Sequence, residues 1–145
     1  MEKIAIGSDH GGFELKEKLI NRYKNQGVNF IDLGTHSSDS CDYPDIADKM
    51  SESVLKGEAD LGILICGTGI GISIAANRHK GIRAAILYDD FTAEMARLHN
   101  NANIMVFGGR TMPFEDVARR IDIFLKTRYE GGRHQRRLDK LDEDK

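Results

Sequence analysis

The chain has 145 residues, 40% hydrophobic and 30% charged, with a formal net charge of -2. That is the size and make-up of one globular domain spanning residues 1–145, and it argues against disorder. The near-neutral balance gives no general pull toward nucleic acid or anionic lipid, so anion binding has to come from local clusters. No apolar run approaches the roughly 20 residues that cross a bilayer. The chain opens Met1-Glu2-Lys3 and enters a strand-like segment, so no signal peptide is expected. The only cysteines, Cys41 and Cys66, make neither a disulfide framework nor a zinc-type pair, and a reducing cytoplasm is the expected setting.

The first predicted strand, Ile4-Ala5-Ile6, runs into Ser8-Asp9-His10-Gly11-Gly12. Two glycines let the backbone turn tightly into a helix whose first N–H groups can hold an anion. Asp9 and His10 then face that ligand; the plainer reading makes Asp9 a helix cap. Leu15, Leu19, Ile20 and Tyr23 share one face of the helix, with Lys16, Glu17 and Asn21 off it. Val28 to Leu33 reads as the second strand. Cys41 has no setting that suggests chemistry.

Leu61 to Ile65 is the third strand, and Cys66-Gly67-Thr68-Gly69-Ile70-Gly71-Ile72-Ser73 follows it. Donors free of Cβ crowding beside a helix N-terminus suit a phosphate or an enolate oxygen. A dinucleotide fingerprint wants a small residue where Ile72 or Ile74 stands, and a P-loop wants a GK[ST] that is absent. Cys66 sits at the join of strand and loop, where a thiolate is favoured and serves as base or nucleophile. Its other reading is a small buried hydrophobe.

Arg83 to Leu87 is the fourth strand, followed by Tyr88-Asp89-Asp90 and a segment ending at His99-Asn100-Asn101. Ile104 to Phe107 is the fifth, and Gly108-Gly109-Arg110 places an arginine at the same rim as Cys66. Phe114, Val117, Ala118, Ile121 and Leu125 keep helical spacing. Gly131-Gly132 precedes Arg133-His134-Gln135-Arg136-Arg137, in which Arg133 and Arg137 share a helical face and can grip phosphate. A solvated basic face is the alternative. Residues 139–145 are mostly charged and are expected to fray beyond Leu141.

Alternating strands and helices predict an α/β fold: a doubly wound, five-stranded parallel sheet with helices on both faces and a C-terminal helix. Ligands gather at the carboxyl ends of such strands.

The Asp9 to Gly12 turn, the stretch Cys66 to Asn77, His99-Asn100, and Gly131 to Arg137 together resemble the B-type ribose-5-phosphate isomerases, a likeness running from residue 3 to about residue 137. The resemblance implies a Rossmann-like fold, a dimer or dimer of dimers, and no metal or organic cofactor. It implies an aldose-ketose isomerase of the pentose phosphate pathway acting on ribose 5-phosphate and ribulose 5-phosphate. In that frame Cys66 is the base, and Gly67, Thr68, Gly69, Ile70 and Gly71 form the enediolate hole, with Thr68 also counted among the catalytic residues. His99, supplied by the neighbouring subunit, helps open the furanose ring. Asp9 and Asn100 meet sugar hydroxyls, and Tyr43 lines the sugar pocket. His10, Arg110, Arg133 and Arg137 hold phosphate. Some relatives use a glutamate on this loop, where this chain has Ile70 and Ile72. Three other functions stay open: a six-carbon sugar-phosphate isomerase, a nucleotide-binding module, and a hydrolase with Cys66 as nucleophile and His99 as its base.

Overall fold

The short apolar runs become five parallel strands in the computed structural model, which describes residues 2–145. The strands are β1 (Ile4–Ser8), β2 (Ile31–Asp32), β3 (Leu61–Cys66), β4 (Ala84–Ile86) and β5 (Ile104–Gly108). The helices are α1 (Phe13–Lys24), α2 (Tyr43–Leu55), α3 (Ile70–Asn77), α4 (Asp90–Leu98), α5 (Phe114–Lys126) and α6 (Arg133–Leu141). The order across the sheet is β2-β1-β3-β5-β4. This is the expected Rossmann-like architecture, with α6 as the C-terminal helix.

Every residue of β1, β3 and β5 is buried, because both faces of the sheet are covered. Alternate residues enter two cores. Ile6, Ile63, Ile65 and Phe107 pack with Leu19 of α1, Ala93 of α4 and Ile121 and Phe124 of α5. Ala5, Leu64, Cys66 and Val106 pack with Met50 of α2 and Ile72 and Ala76 of α3. Each fully buried Leu, Ile or Phe contributes roughly 1.5–3 kcal/mol of apolar transfer energy.

Three expectations are corrected. The second strand is far shorter than Val28 to Leu33. Only Ile31 and Asp32 pair with β1, and both are exposed at the sheet edge. Val28 and Phe30 instead turn their side chains onto the core. In α5 the fully buried aromatic is Phe124, while Leu125 is only half-buried. Residues 139–141 complete the last turn of α6, which ends at Leu141. Beyond it, Asp142 accepts from the Gly81 N–H at 3.0 Å and Asp144 from Lys80 Nζ at 2.9 Å.

The third correction is Lys16, whose side chain has 0% exposure. Its ammonium reaches both Asp32 oxygens, at 2.8 and 2.9 Å, and Glu17 at 3.2 Å. A buried ammonium requires such partners, and stranding one costs about 3–5 kcal/mol. Asp32→Ala should therefore lower the urea midpoint strongly. Lys16→Met, which removes the charge and keeps an apolar stem, should lower it much less. Equal losses in the two variants would show that the pair's charge is not what matters.

Candidate active site

The chain passes from β1 to β2 on one side and then to β3 on the other, so β1 and β3 flank the switch point where such sheets bind ligands. Three chain turns meet at the carboxyl ends of β1, β3 and β5. They fit closely because they are glycine-rich. A Cβ at Gly11 would sit 3.0 Å from the Gly67 nitrogen, and one at Gly109 would sit 2.5 Å from the Gly11 oxygen.

Cys66 ends β3 and is 5% exposed. Its Sγ accepts from the Gly69 N–H at 3.2 Å. Gly69 has φ +85, a left-handed conformation that turns the chain directly into α3. Thr68 Oγ1 accepts from the Ile70 N–H at 3.2 Å. The N–H groups of Gly67, Thr68 and Gly71 have no partner among the described residues. The loop thus spends two donors on its own shape and leaves three unpaired.

The other residues at this end close around that loop. Asp9 is buried and caps the short turn His10–Gly12 by accepting from the Gly11 N–H at 2.9 Å. The plain capping role is therefore present, and one carboxylate oxygen remains for another partner. His10 Nδ1 accepts from the Cys41 N–H at 3.2 Å, which orients the ring. The Tyr43 ring lies on Gly71, where a Cβ would meet Tyr43 Cζ at 2.7 Å. The Arg110 guanidinium covers Gly67, 3.2 Å from a Cβ built there. Asp9, His10, Cys41 and Tyr43 line a hollow of about 520 Å³.

Cys41 was expected to be bland, yet its loop forms one wall of this hollow. It acts through a backbone N–H, which no residue-type pattern reveals. Pro44, early in α2, stands where this wall turns into helix.

The remaining expected residues lie at the other end of the sheet. α4 returns from the carboxyl end of β4, and the chain leaving it meets the start of that strand. There Arg83 Nε donates to the Asn101 oxygen at 3.0 Å. His99 and Asn100 therefore sit at the amino edge. α6 joins them, since the Glu130 N–H donates to the Leu98 oxygen at 2.9 Å. Arg133 and Arg137 come with it on that helix. The His99 and His134 rings stack at 4.2 Å. Burial, then the neighbouring His99 and Arg133, holds His134 below the ordinary histidine range. Glu130 and His134 carried no assigned role in the sequence reading. Only the packing of α6 on the end of α4 brings them to His99.

One chain therefore places the expected residues in two groups at opposite ends of the sheet, and it makes no Cys66–His99 pair of its own. A hydrolytic nucleophile and base drawn from a single chain is ruled out by this placement.

A buried thiol beside free backbone donors at a switch point defines an α/β protein suited to a small anionic ligand. More closely, the chain belongs to the Ribose/Galactose Isomerase family, whose match covers residues 4–141. It is 46% identical to ribose-5-phosphate isomerase B of Escherichia coli K12, over 97% of this chain and 95% of that protein. A Thermotoga maritima ribose 5-phosphate isomerase structure superposes with TM-score 0.96 at 53% identity, covering 99% of each chain. The Mycoplasma genitalium ribose-5-phosphate isomerase B, with bound ribulose-5-phosphate, gives TM-score 0.90 at 44% identity, covering 96% of this chain and 93% of that one. Among the described residues no helix is long and apolar enough to cross a membrane.

Proposed function

We propose that this chain is an aldose-ketose isomerase that interconverts ribose 5-phosphate and ribulose 5-phosphate. The observation that carries the reading is 44% identity, over 96% of this chain, to a ribose-5-phosphate isomerase B structure with bound ribulose-5-phosphate. Cys66 Sγ takes the proton from C2 of the open-chain aldose and returns it to C1. Negative charge builds on the substrate oxygens as the enediolate forms. The N–H groups of the Gly67–Gly71 loop, with Thr68, stabilise it there; one such donor is typically worth about 10²- to 10³-fold in rate. Asp9 holds a sugar hydroxyl, Tyr43 walls the pocket, and His10 and Arg110 face the phosphate.

The missing half of the site comes from a second copy. His99 of the partner subunit assists ring opening, and Asn100 of the partner subunit holds a hydroxyl. Arg133 of the partner subunit and Arg137 of the partner subunit grip phosphate. Two observations support this. The half-sets lie at opposite ends of one chain, as a two-fold pairing that sets amino edge against carboxyl edge requires. The carboxyl edge of the sheet also carries uncovered apolar side chains, Ile70 on the Cys66 loop at 57% exposure and Tyr88 and Phe91 after β4 at 64% and 67%.

The test is a panel of aldose phosphates in D₂O, followed by NMR. Ribose 5-phosphate should convert fastest and its C2 hydrogen should exchange with solvent. Faster turnover of allose or galactose 6-phosphate would move the substrate to six carbons. No turnover of any sugar phosphate would overturn the isomerase reading.

A further inference from the structure

At the amino edge, three side chains converge that the isomerisation above does not use together. Glu130 Oε2 lies 3.6 Å from His99 Nε2 and 3.7 Å from His134 Nε2. All three ligand atoms fall within 4.8 Å of one another. Ligands about 2.0–2.1 Å from a tetrahedral zinc ion stand roughly 3.3 Å apart, so two of the three edges are within a few tenths of an ångström of that spacing.

A second observation points to a ligand. His134 is 94% buried, and its Nε2 has no hydrogen-bond partner. Buried polar atoms are nearly always satisfied, and this one is aimed at the gap beside Glu130. The carboxylate is also divided. Glu130 Oε1 faces Arg133 Nη1 at 4.0 Å, which leaves Oε2 for the two imidazoles.

We propose that His99, Glu130 and His134 form a binding site for a borderline divalent transition cation, with two imidazoles and one carboxylate as ligands and an open fourth position. The set suits zinc rather than calcium or magnesium, which take oxygen ligands. A metal must lie near the plane of each ring, and the rings now stack with planes 17° apart. One ring has to turn, and it is His99, half-exposed at the end of α4, because His134 is packed. Arg133 and Arg137 add positive charge nearby, so binding is weaker than at a dedicated structural site. The cation is not a cofactor here. It occupies His99 Nε2 and so inhibits the ring-opening step, a consequence that rests on the function proposed above.

The site is tested by calorimetric titration of the full-length protein with zinc chloride, in a Cys41→Ser, Cys66→Ser background so that no thiol competes. One zinc per chain is expected, lost in Glu130→Gln, whose exposed position leaves folding intact, and in His134→Gln. Cobalt should give the intense visible bands of a low-coordinate site, absent from both variants. No binding, or equal binding in Glu130→Gln, overturns the proposal whatever the enzyme's activity. In the otherwise unaltered protein, zinc should lower turnover and Glu130→Gln should relieve the inhibition. Zinc binding with undiminished turnover upholds the site and counts against the ring-opening role of His99.

Discussion

Cys66→Ala should lower kcat by roughly 10²- to 10⁴-fold, the range for losing a positioned acid or base. The thiol is buried at the end of β3, its sulfur accepting from the Gly69 N–H. No other titratable side chain on β3 or on the Gly67–Gly71 loop can take over the proton transfer. Removing one sulfur atom from a packed site is a small change, and the second core retains Leu64, Val106 and Ile72 around it. The variant should therefore fold, with an unfolding free energy within about 1–2 kcal/mol of the parent. The substrate's phosphate is on C5, away from C1 and C2 where the proton moves, so KM should change little while kcat falls. Solvent exchange at C2 should fall in parallel with turnover, because both require the same proton abstraction. A variant that turns over near the parental rate would remove Cys66 as the base. A variant that isomerises slowly but exchanges C2 normally would place the thiol at a later step.

The second large effect is a recovery. Cys66→Ala and His99→Ala should each be nearly inactive alone, and co-expression should restore activity to about a quarter of the sites. One chain cannot bring the two residues together, because β3 ends at the carboxyl edge and α4 at the amino edge. In a mixed dimer, one site receives both lesions and the other receives neither. Random pairing of equal amounts leaves the thiol intact in half the cases and the imidazole intact in half of those. Differently tagged chains, purified through both tags, isolate the mixed dimers and should raise the intact fraction to about half of all sites. Unrescued mixed dimers would refute the shared site and leave the chain's family unchanged. Arg133→Ala and Arg137→Ala should behave as His99→Ala does in such mixtures, since α6 and the end of α4 pack together.

Much of the fold was legible because its signals are local. Continuous apolar runs such as Leu61 to Ile65 read as strands covered on both faces, and they are. The 3.6-residue spacing of Val117, Ala118 and Ile121 read as a helix face, and those residues are buried. The Gly67, Gly69 and Gly71 pattern marked a loop that approaches other groups closely, and Gly69 does take a positive φ. In each case the side chain or its absence sets the conformation within a few residues.

Other features were decided by packing. Lys16 falls on the polar side of a helical wheel, yet it is buried because Asp32 of the edge strand arrives beside it. The second strand shrank to two residues because an edge strand has one pairing partner and turns its apolar side chains inward. Cys41 entered the candidate site through a backbone N–H, which every non-proline residue carries and no motif marks.

Residue order alone put a thiol at the carboxyl end of β3 with a glycine-rich loop directly after it. Tertiary structure alone decided that Cys66 and His99 lie at opposite edges of one sheet, and that Glu130 and His134 meet His99. Residue identity sets chemical capacity and local conformation. Which capacities meet depends on where parallel strands send their returning helices, and that is settled only when the whole sheet assembles.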